Sequence, residues 1–370
     1  MARDVLDRDP DDQARALSPD GDIVEPDLVP DVGDEAMVSM YRDMRFARRF
    51  DERLISLQRQ GRLGTYSSLA GQEGAQVGST YALADDDTIF YQYREHGALV
   101  ARGLPWEYVC YWMGQEMGNA AIADVNVFPL NISIGSHLPH AVGWSWAAKR
   151  RGDERVAVAH FGDGATSEGD FHEAMNFAGV FETPTVFFCN NNQWAISVPR
   201  ERQTASETLA QKADAYGFDG VQVDGMDPLA TYTVTEAARE RAVGADGNEP
   251  EPVFVEAVQY RFGAHTTADD PSVYREDADV ERWRERDPLD RMEAFLRHCD
   301  LLDDERVEAM DERIGERIDE IIEQAEAEAP DPADLFADAY AEPTAAVEAQ
   351  REYFEALRER HGDGALLESE

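Results

Sequence analysis

Two polar segments of the sequence each follow a run of β-type apolar residues and carry groups that bind ions. The first segment, Gly162–Asp170, reads GDGATSEGD and follows the run Val156–Phe161. The second, Asn190–Ser197, reads NNNQWAIS and follows the run Thr185–Cys189. Glycines on either side of Asp163 let a ligand approach the backbone closely, and the amides that open a following helix favour an anion. These segments therefore indicate a site for a cation and an anion at two strand ends.

The spacing of the two segments predicts that Asp163 and Asn192 lie close together. They are 29 residues apart, which is enough for a helix, a loop and a strand, so one right-handed crossover sets their strands side by side. Magnesium takes oxygen ligands in near-octahedral geometry and usually keeps phosphate oxygens among them. We therefore predict a magnesium site formed by the Asp163 carboxylate, the Asn192 side-chain oxygen and the backbone carbonyl of Trp194. A GDG triplet alone would indicate only a turn.

Alternating strands and helices are needed to position these residues. The strands are predicted at Thr88–Tyr91, Val156–Phe161, Thr185–Cys189, Val221–Val223 and Val253–Ala257, and helices begin near Pro105, Gly169 and Asp227. This order predicts an α/β fold, a parallel sheet with helices on both faces. Ligands of such sheets lie beyond the carboxyl ends of the strands. Ser167 and Asp170, three residues apart, predict an N-cap pair at the start of one helix.

Composition divides the chain into three parts. Residues 1–33 are rich in Asp and Pro and bury too little apolar surface to offset the entropy of ordering, so we expect an acidic, mobile N-terminal arm. Residues 34–330 form the predicted α/β domain, which opens with an amphipathic helix that stops at Gly61. Residues 331–370 are predicted to be a C-terminal helical tail, with a helix from Thr344 to Arg360.

The chain is strongly acidic and nearly free of lysine. Seventy-six acidic side chains against 34 basic ones give a net charge of −42, and Lys149 and Lys212 are the only lysines. Self-repulsion of this kind is reduced in molar salt, where the Debye length is about 3 Å. We therefore expect adaptation to high salt, and the alternative of a mesophilic protein with acidic tails fits less well because the excess runs through the whole chain. Such a charge is unlike a nucleic-acid-binding surface.

Cysteine content and the N-terminal sequence bear on location. Cys110, Cys189 and Cys299 are odd in number, far apart and without metal-type spacing, which favours buried, reduced thiols. The first residues contain no apolar core of a signal peptide, and no run approaches the ~18 apolar residues of a membrane span. We therefore expect a cytoplasmic protein that does not enter a membrane.

The segment from Gly162 to Ser197 carries a family resemblance. A GDG triplet followed by NN at this spacing is the thiamine-diphosphate motif, and the segment resembles the α subunit of the decarboxylating component of 2-oxo acid dehydrogenase complexes. The likeness extends from roughly Tyr41 to Pro330. It implies a thiamine-diphosphate-binding fold with additional C-terminal helices, and thiamine diphosphate and Mg²⁺ as cofactors.

Two further stretches resemble the family's cofactor-binding segments. Tyr91–Gly97, which reads YQYREHG, resembles the diphosphate-binding segment, and this implies charge-assisted bonds from Arg94. Asn131–His140 resembles the segment whose aliphatic residue lies beneath the thiazolium ring, and by alignment that residue is Ile134. The full set of cofactor contacts implied by the resemblance is Gln92, Tyr93, Arg94, Ile134, Gly162, Asp163, Gly164, Ala165, Asn192, Trp194, Ile196 and His265.

A third stretch, Tyr260–Arg275, resembles the family's active-site loop, which is phosphorylated in some members. The resemblance implies that His265 is the catalytic histidine. Tyr274 and Arg275 are implied to act with it by ordering the loop. Thr266 stands where those members carry the modified serine.

The resemblance also implies an activity and partners. Members of the family decarboxylate a 2-oxo acid with thiamine diphosphate and transfer the acyl group to the lipoyl group of a dihydrolipoyl acyltransferase. The carboxylate that activates the cofactor comes from a β subunit, so we expect an α2β2 heterotetramer that is inactive without β. The substrate stays open between pyruvate and a branched-chain 2-oxo acid, because the side-chain pocket is built from both subunits.

Two other functions are considered. The N-terminal half of a split transketolase shares the diphosphate motif, but the loop around His265 argues against it. A non-enzymatic acidic scaffold with a vestigial α/β core is the second alternative. Binding of thiamine diphosphate and Mg²⁺ with and without a candidate β chain discriminates among the three.

Overall fold

The structure is a computed structural model that describes residues 5–328, 335–336, 340–362 and 364–365, apart from the side chain of residue 246. The chain divides into two compact units, Met1–Ile322 and Glu323–Glu370. These bounds differ from the predicted domain 34–330 and tail 331–370, since the first unit includes the N-terminal residues and the second begins inside a long helix. Of the predicted tail, residues 331–334, 337–339, 363 and 366–370 lie outside the described residues.

A five-stranded parallel sheet forms the centre of the first unit. Its strands, with a short antiparallel hairpin β4–β5, are β1 (Thr88–Phe90), β2 (Ala157–Gly162), β3 (Thr185–Asn191), β4 (Trp194–Ala195), β5 (Val198–Pro199), β6 (Gly220–Asp224) and β7 (Val253–Val258). The order in the sheet is β1-β2-β3-β7-β6. Almost all residues of the five strands are buried, as expected for a parallel sheet covered on both faces. The predicted α/β class and the five strands are confirmed.

Helices connect and cover the strands. Those of the described residues are α1 (Asp34–Arg59), α2 (Glu73–Tyr81), α3 (His96–Ala101), α4 (Glu107–Trp112), α5 (Met117–Ala121), α6 (His137–Arg151), α7 (Gly169–Phe181), α8 (Pro228–Val243), α9 (Asp277–Arg284), α10 (Pro288–His298), α11 (Asp304–Ala327) and α12 (Ala345–His361). None of them combines the length and the apolar character needed to cross a bilayer.

The two faces of the sheet pack against different helices. Ala157, Ala159 and Phe161 of β2 share one core cluster with the inner sides of α6 and α7. Alternate residues of a strand point to opposite faces, and α8 packs against β3, β6 and β7 and against α2. This places α7 directly after the GDG segment and beside the carboxyl end of β2.

The start of α7 differs from the prediction. Glu168 is the N-cap residue, and no side-chain cap bond forms, so the predicted pair Ser167 and Asp170 does not cap the helix. The reason is that a 3₁₀ turn occupies Asp163–Ser167. Backbone amides at the start of α7 are therefore not used by a local side-chain cap.

The described part of the N-terminal segment packs on the domain, in contrast to the expected mobile arm. Ala14, Ala16 and Leu17 are fully buried, and the amides of Ala16 and Leu17 donate to the Asp227 carboxylate at 2.8 and 2.6 Å. The segment is held by backbone bonds to a buried carboxylate, which its low apolar content does not reveal.

Both edge strands of the sheet make further backbone contacts. At the β6 edge, the Ala14 amide donates to the Gln222 carbonyl at 2.9 Å, and the Asp224 amide donates to the Ala14 carbonyl at 3.0 Å. At the β1 edge, Ile89 forms a parallel bridge with Val127. Each edge is therefore paired with a single extended residue from a loop.

Candidate active site

A cavity of about 510 Å³ lies at the carboxyl ends of β1, β2 and β3. Its lining includes every cofactor contact expected from the sequence: Gln92, Tyr93, Arg94, Ile134, Gly162, Asp163, Gly164, Ala165, Asn192, Trp194, Ile196 and His265. These residues come from the segments that follow the three strands, the segment before α6 and the loop after β7. The fold thus gathers into one cavity residues that are up to 173 positions apart in sequence.

Asp163 is the buried acid of this cavity. β2 and β3 pair with Gly162 opposite Asn190, so Asp163 and the asparagine segment follow adjacent strand ends as predicted. One carboxylate oxygen, Oδ2, accepts from Gln203 Nε2 at 2.6 Å, whereas Oδ1 is buried and has no hydrogen-bond partner among the described residues. Burial raises the pKa of Asp163 to about 6, and the bond from Gln203 opposes that rise. An unpartnered buried carboxylate oxygen is suited to a cation.

Two hydrogen bonds fix the side-chain amide of Asn192 at the carboxyl end of β3. Its Nδ2 donates to Gln72 Oε1 at 3.2 Å, and its Oδ1 accepts from the Trp194 amide at 3.3 Å. The Trp194 indole donates to the Tyr260 hydroxyl at 3.1 Å. These bonds fix the Asn192 side-chain amide and the Trp194 ring in the segment that follows β3, and both residues line the cavity.

Two residues of the cavity have backbone features that other residue types rarely tolerate, a close contact at Gly164 and a left-handed φ at Ile196. A Cβ on Gly164 would lie 2.8 Å from the Ala195 Cβ, whereas a Cβ on Gly162 would meet open space. Ile196 has φ of 55°, a left-handed conformation that is rare for a β-branched residue. Its carbonyl accepts from Arg261 Nη2 at 2.7 Å, which helps to hold this conformation. Local strain of this kind clusters at ligand-binding sites.

Two arginines determine the state of His265. Arg94 Nη2 lies 3.1 Å from His265 Nδ1, and Arg261 Nη1 lies 3.4 Å from the same atom. A guanidinium can only donate, so Nδ1 accepts and the ring proton resides on Nε2. Burial, and then Arg94 and Arg261, lower the pKa of His265 to about 4. At neutral pH the cavity therefore contains an uncharged imidazole with an Nε2–H donor.

Tyr274 and Arg275 lie behind the cavity and hold the loop that carries His265. The Tyr274 hydroxyl accepts from Arg261 Nη2 at 2.9 Å and donates to the Asp269 carboxylate. That carboxylate also accepts from the His265 amide at 2.7 Å. Arg275 donates to the Arg261 carbonyl at 2.5 Å. Both residues position the loop and are not among the cavity-lining residues.

Several residues that position the site are not among those predicted from the sequence. Arg261 and Asp269 lie in the loop that resembles the family's active-site loop. An arginine four residues before the histidine could have indicated a partner for the ring, but the periodicity that predicts helices and strands does not reveal it. Gln203, the partner of Asp163, and Gln72, the partner of Asn192, lie in separate loops. No sequence pattern predicts either glutamine contact, because each depends on how loops that are distant in sequence pack together.

The mouth of the cavity is apolar and open. The side chains of Ile132, Ile134 and Ile196 line it and are 60%, 39% and 58% exposed. Exposed aliphatic side chains grouped at one opening are typical of a surface that another molecule covers.

Comparison with known proteins identifies relatives over most of the chain. Residues 41–333 match the family described as "Dehydrogenase E1 component". The chain is 42% identical over 330 residues, 88% of each chain, to "3-methyl-2-oxobutanoate dehydrogenase subunit alpha" of Mycobacterium tuberculosis. It is 43% identical over 304 residues, 82% of this chain and 81% of the relative, to "Pyruvate dehydrogenase E1 component subunit alpha" of Staphylococcus aureus. On these matches, the chain belongs to the dehydrogenase E1 component family, as a relative of its α subunits.

Proposed function

We propose that this chain is the α subunit of a 2-oxo acid dehydrogenase that decarboxylates its substrate with thiamine diphosphate and passes the acyl group to a lipoylated dihydrolipoyl acyltransferase. Family membership and the two α-subunit relatives support the enzyme class. The observation that carries the cofactor assignment is the single cavity that combines all twelve expected contacts with the unpartnered oxygen of Asp163. The relatives are dehydrogenase subunits, which favours this function over a split transketolase or a scaffold.

Three groups would hold Mg²⁺ in this proposal: the Asp163 carboxylate, the Asn192 side-chain oxygen and the Trp194 backbone carbonyl. Asp163 Oδ1 is buried without a hydrogen-bond partner, and a hard divalent cation takes such an oxygen. A bound cation would also favour the ionised form of a carboxyl whose pKa burial has raised to about 6. Tyr93 and Arg94, which also line the cavity, would contact the diphosphate.

The residues of this chain have distinct tasks in the proposed reaction. Thiamine diphosphate, when bound, supplies the electron sink for loss of carbon dioxide. His265 offers its Nε2–H as a hydrogen-bond donor to an oxygen of the substrate, since Arg94 and Arg261 occupy Nδ1. Tyr274 and Arg275 keep the loop in place, and Ile134 gives the cavity its shape.

A β-type subunit completes the site in this proposal, in an α2β2 heterotetramer. The open mouth with three exposed isoleucines supports a covering partner. The substrate is a small 2-oxo acid of the pyruvate or branched-chain class, because the relatives' names print pyruvate and 3-methyl-2-oxobutanoate. We place the complex in the cytoplasm, since the three cysteines form no disulfide in the described residues. Cys110 and Cys189 are buried as predicted, whereas Cys299, after the end of α10, is exposed. Turnover of both acid classes by the reconstituted complex would assign the substrate.

The cofactor assignment is tested by removing one proposed metal ligand at a time. Asp163→Ala and Asn192→Ala should each abolish Mg²⁺-dependent retention of thiamine diphosphate, because each removes an oxygen from a metal that tolerates poor geometry badly. Calorimetric titration of the αβ complex with cofactor, with and without Mg²⁺, measures this. Asp153→Ala, at an exposed carboxylate outside the cavity, is the control. Unchanged affinity in either ligand variant would contradict the metal site.

A further inference from the structure

An aromatic surface lies on the outer side of α6 and α7, outside the cavity but on the helix that begins at its edge. We call it the α6–α7 face and define it by Trp146, Phe177, Val180 and Phe181. Trp146 is 36% exposed, Phe177 49% and Val180 66%. Apolar side chains that are exposed singly need no explanation, but a contiguous group marks an interaction site.

The rings of this face are stacked against each other. Trp146 and Phe181 lie 4.4 Å apart between ring centroids, with an angle of 19° between their planes. Phe177 and Phe181 lie 5.9 Å apart with an angle of 10°. The stack joins two helices and is therefore ordered before any partner binds, which lowers the entropy cost of binding.

The core does not require these side chains. The inner sides of α6 and α7 already fill one core cluster, through residues such as Leu138, Val142, Phe171 and Ala174. On α7 the exposed positions 172, 173, 176, 177 and 180 form the opposite side of the helix. A large apolar residue on the solvent side of an already packed helix has a binding role rather than a packing one.

Positive charge borders the α6 side of the face in a chain with a net charge of −42, whereas Glu173 and Glu182 are exposed on its α7 side. The Arg150 guanidinium lies over the Trp146 ring, 5.9 Å from its centroid, and Arg151 follows it at the end of α6. Arg150 and Arg151 are exposed, and the described residues give them no ion pair. Aromatic residues together with arginine are the composition of binding interfaces. The complementary surface is apolar with carboxylates at its border.

This charge argues against a second copy of the same chain. A two-fold contact places the same patch on both sides of the interface, so Arg150 and Arg151 of both copies would border it. It would also bring together two bodies that each carry −42. A different subunit with acidic groups opposite Arg150 and Arg151 avoids repulsion between arginines.

The face is also continuous with the cavity. Glu168 lines the cavity and is the N-cap residue of α7, and Phe177 lies nine residues further along the same helix. At 1.5 Å per residue this separation is about 14 Å. A patch of about 800 Å² per partner is roughly 30 Å across, so one interface can span this separation. A subunit that covers the open mouth at Ile132 and Ile196 therefore reaches the α6–α7 face.

We propose that the α6–α7 face is a docking surface for the β-type subunit, which meets it with apolar side chains bordered by carboxylates. This inference rests on the proposed function, since it takes the β-type subunit as the partner that closes the cavity. It assigns the aromatic stack as the anchor of the contact and Arg150 and Arg151 as its charged border.

Association of the full-length chain with its β subunit tests the proposal. Phe177→Glu and Val180→Glu should each weaken the αβ complex at least tenfold, because a carboxylate would be buried in an apolar contact. Arg150→Glu with Arg151→Glu should weaken it and reduce the salt dependence of association. Tyr353→Glu is the matched control, because Tyr353 is an aromatic residue of α12 that is 68% exposed. Sedimentation velocity over a concentration series measures association, and circular dichroism verifies folding.

The outcomes separate this inference from the proposed function. Unchanged association in both Phe177→Glu and Val180→Glu would overturn the docking surface while leaving the cofactor site intact. Self-association of the chain alone that either variant abolishes, with β binding unchanged, would also overturn it in favour of a second copy. Val180 is 66% exposed, so Val180→Glu keeps the test valid if Phe177→Glu does not fold. Absence of thiamine-dependent turnover in a wild-type αβ complex would instead contradict the proposed function.

Discussion

The neutral state of His265 follows from its neighbours. With an ordinary pKa near 6.5, a solvent-exposed imidazole would be partly charged at neutral pH and could present either nitrogen. Here Arg94 and Arg261 both approach Nδ1, and burial with these two positive charges lowers the pKa to about 4. The same pair of contacts thus fixes the charge and the tautomer of the ring.

The first prediction concerns this ring. His265→Ala should leave folding and cofactor affinity nearly unchanged and slow turnover by ~10²- to 10⁴-fold, the usual contribution of a group that acts on a reacting proton or oxygen. His265→Gln should retain part of the activity, since its amide can donate from a position close to Nε2. Steady-state kinetics of the αβ complex measures both, with His298→Gln as a control at an exposed histidine. Full activity of His265→Ala would remove the histidine from the reaction.

Residues of the site differ in how far the sequence predicts them. Asp163 and Asn192 could be predicted because each directly follows a continuous apolar strand, and parallel neighbours bring strand ends together. Gln203 could not, because it reaches Asp163 from a loop 40 residues away. The roles of the twelve cavity residues stay predictions, although their assembly in one cavity is what the sequence led us to expect.

Strands were easier to predict than helices in this chain. The run Thr185–Cys189 became β3 (Thr185–Asn191), because a fully buried strand is marked by an unbroken apolar run. The sequence pattern predicts no helix at His137–Arg151, which is α6. Its buried positions include Ala141, Ser145 and Ala148, and small residues give only a weak helical pattern. Tertiary packing, rather than local periodicity, explains this helix.

The start of α6 gives a pH-dependent contribution to stability. His137 Nε2–H donates to the His160 carbonyl of β2 at 2.8 Å, and its buried Nδ1 has no partner in the part of the chain that the structure describes. Burial lowers the pKa of His137 to about 4, below its value of about 6.5 in an unfolded chain. Between these pH values the unfolded state binds a proton that the folded state does not. The stability from this group is therefore present above pH 6.5 and is lost as the pH falls towards 4.

We accordingly predict that His137→Gln flattens the acid side of the stability curve. Glutamine can keep the donor to the His160 carbonyl but does not titrate. Between pH 7 and pH 5 the wild type should lose on the order of 2 kcal/mol more stability than the variant. Asp51, Asp163 and Asp227, whose pKa values burial raises to about 6, act in the opposite direction but are common to both proteins. Parallel pH curves from urea unfolding at constant salt would contradict this account.

At the scale of the whole molecule, several of the few basic side chains form ion pairs between elements that are distant in sequence. Arg45 of α1 pairs with Asp311 of α11 at 2.6 Å. Arg48 lies between Glu73 and Asp287, which are both buried. With 76 acidic and 34 basic side chains, such pairing leaves a large excess of carboxylates on the surface.

This excess predicts a strong dependence of stability on salt. The unfolding temperature should fall as KCl is lowered from 1 M to 0.01 M, because the Debye length then grows from ~3 Å to ~30 Å and repulsion among carboxylates is no longer screened. Thermal unfolding followed by circular dichroism measures the shift. Sucrose at matched osmolality is the control, since it favours burial without screening charge. An unfolding temperature that does not change with KCl would argue against adaptation to high salt.

The contact of Ala14 with β6 affects the risk that this sheet aggregates while the chain is synthesised and folds. An uncovered edge strand exposes amides and carbonyls that can pair with the edge of another chain and start aggregation. The pairing partner of this edge precedes it by about 200 positions, as the Arg15–Asp224 bond across 209 residues shows. During synthesis the N-terminal segment therefore leaves the ribosome long before the strand that it covers. Docking of this earlier-made segment on β6 is therefore a late step that protects the sheet from intermolecular strand pairing.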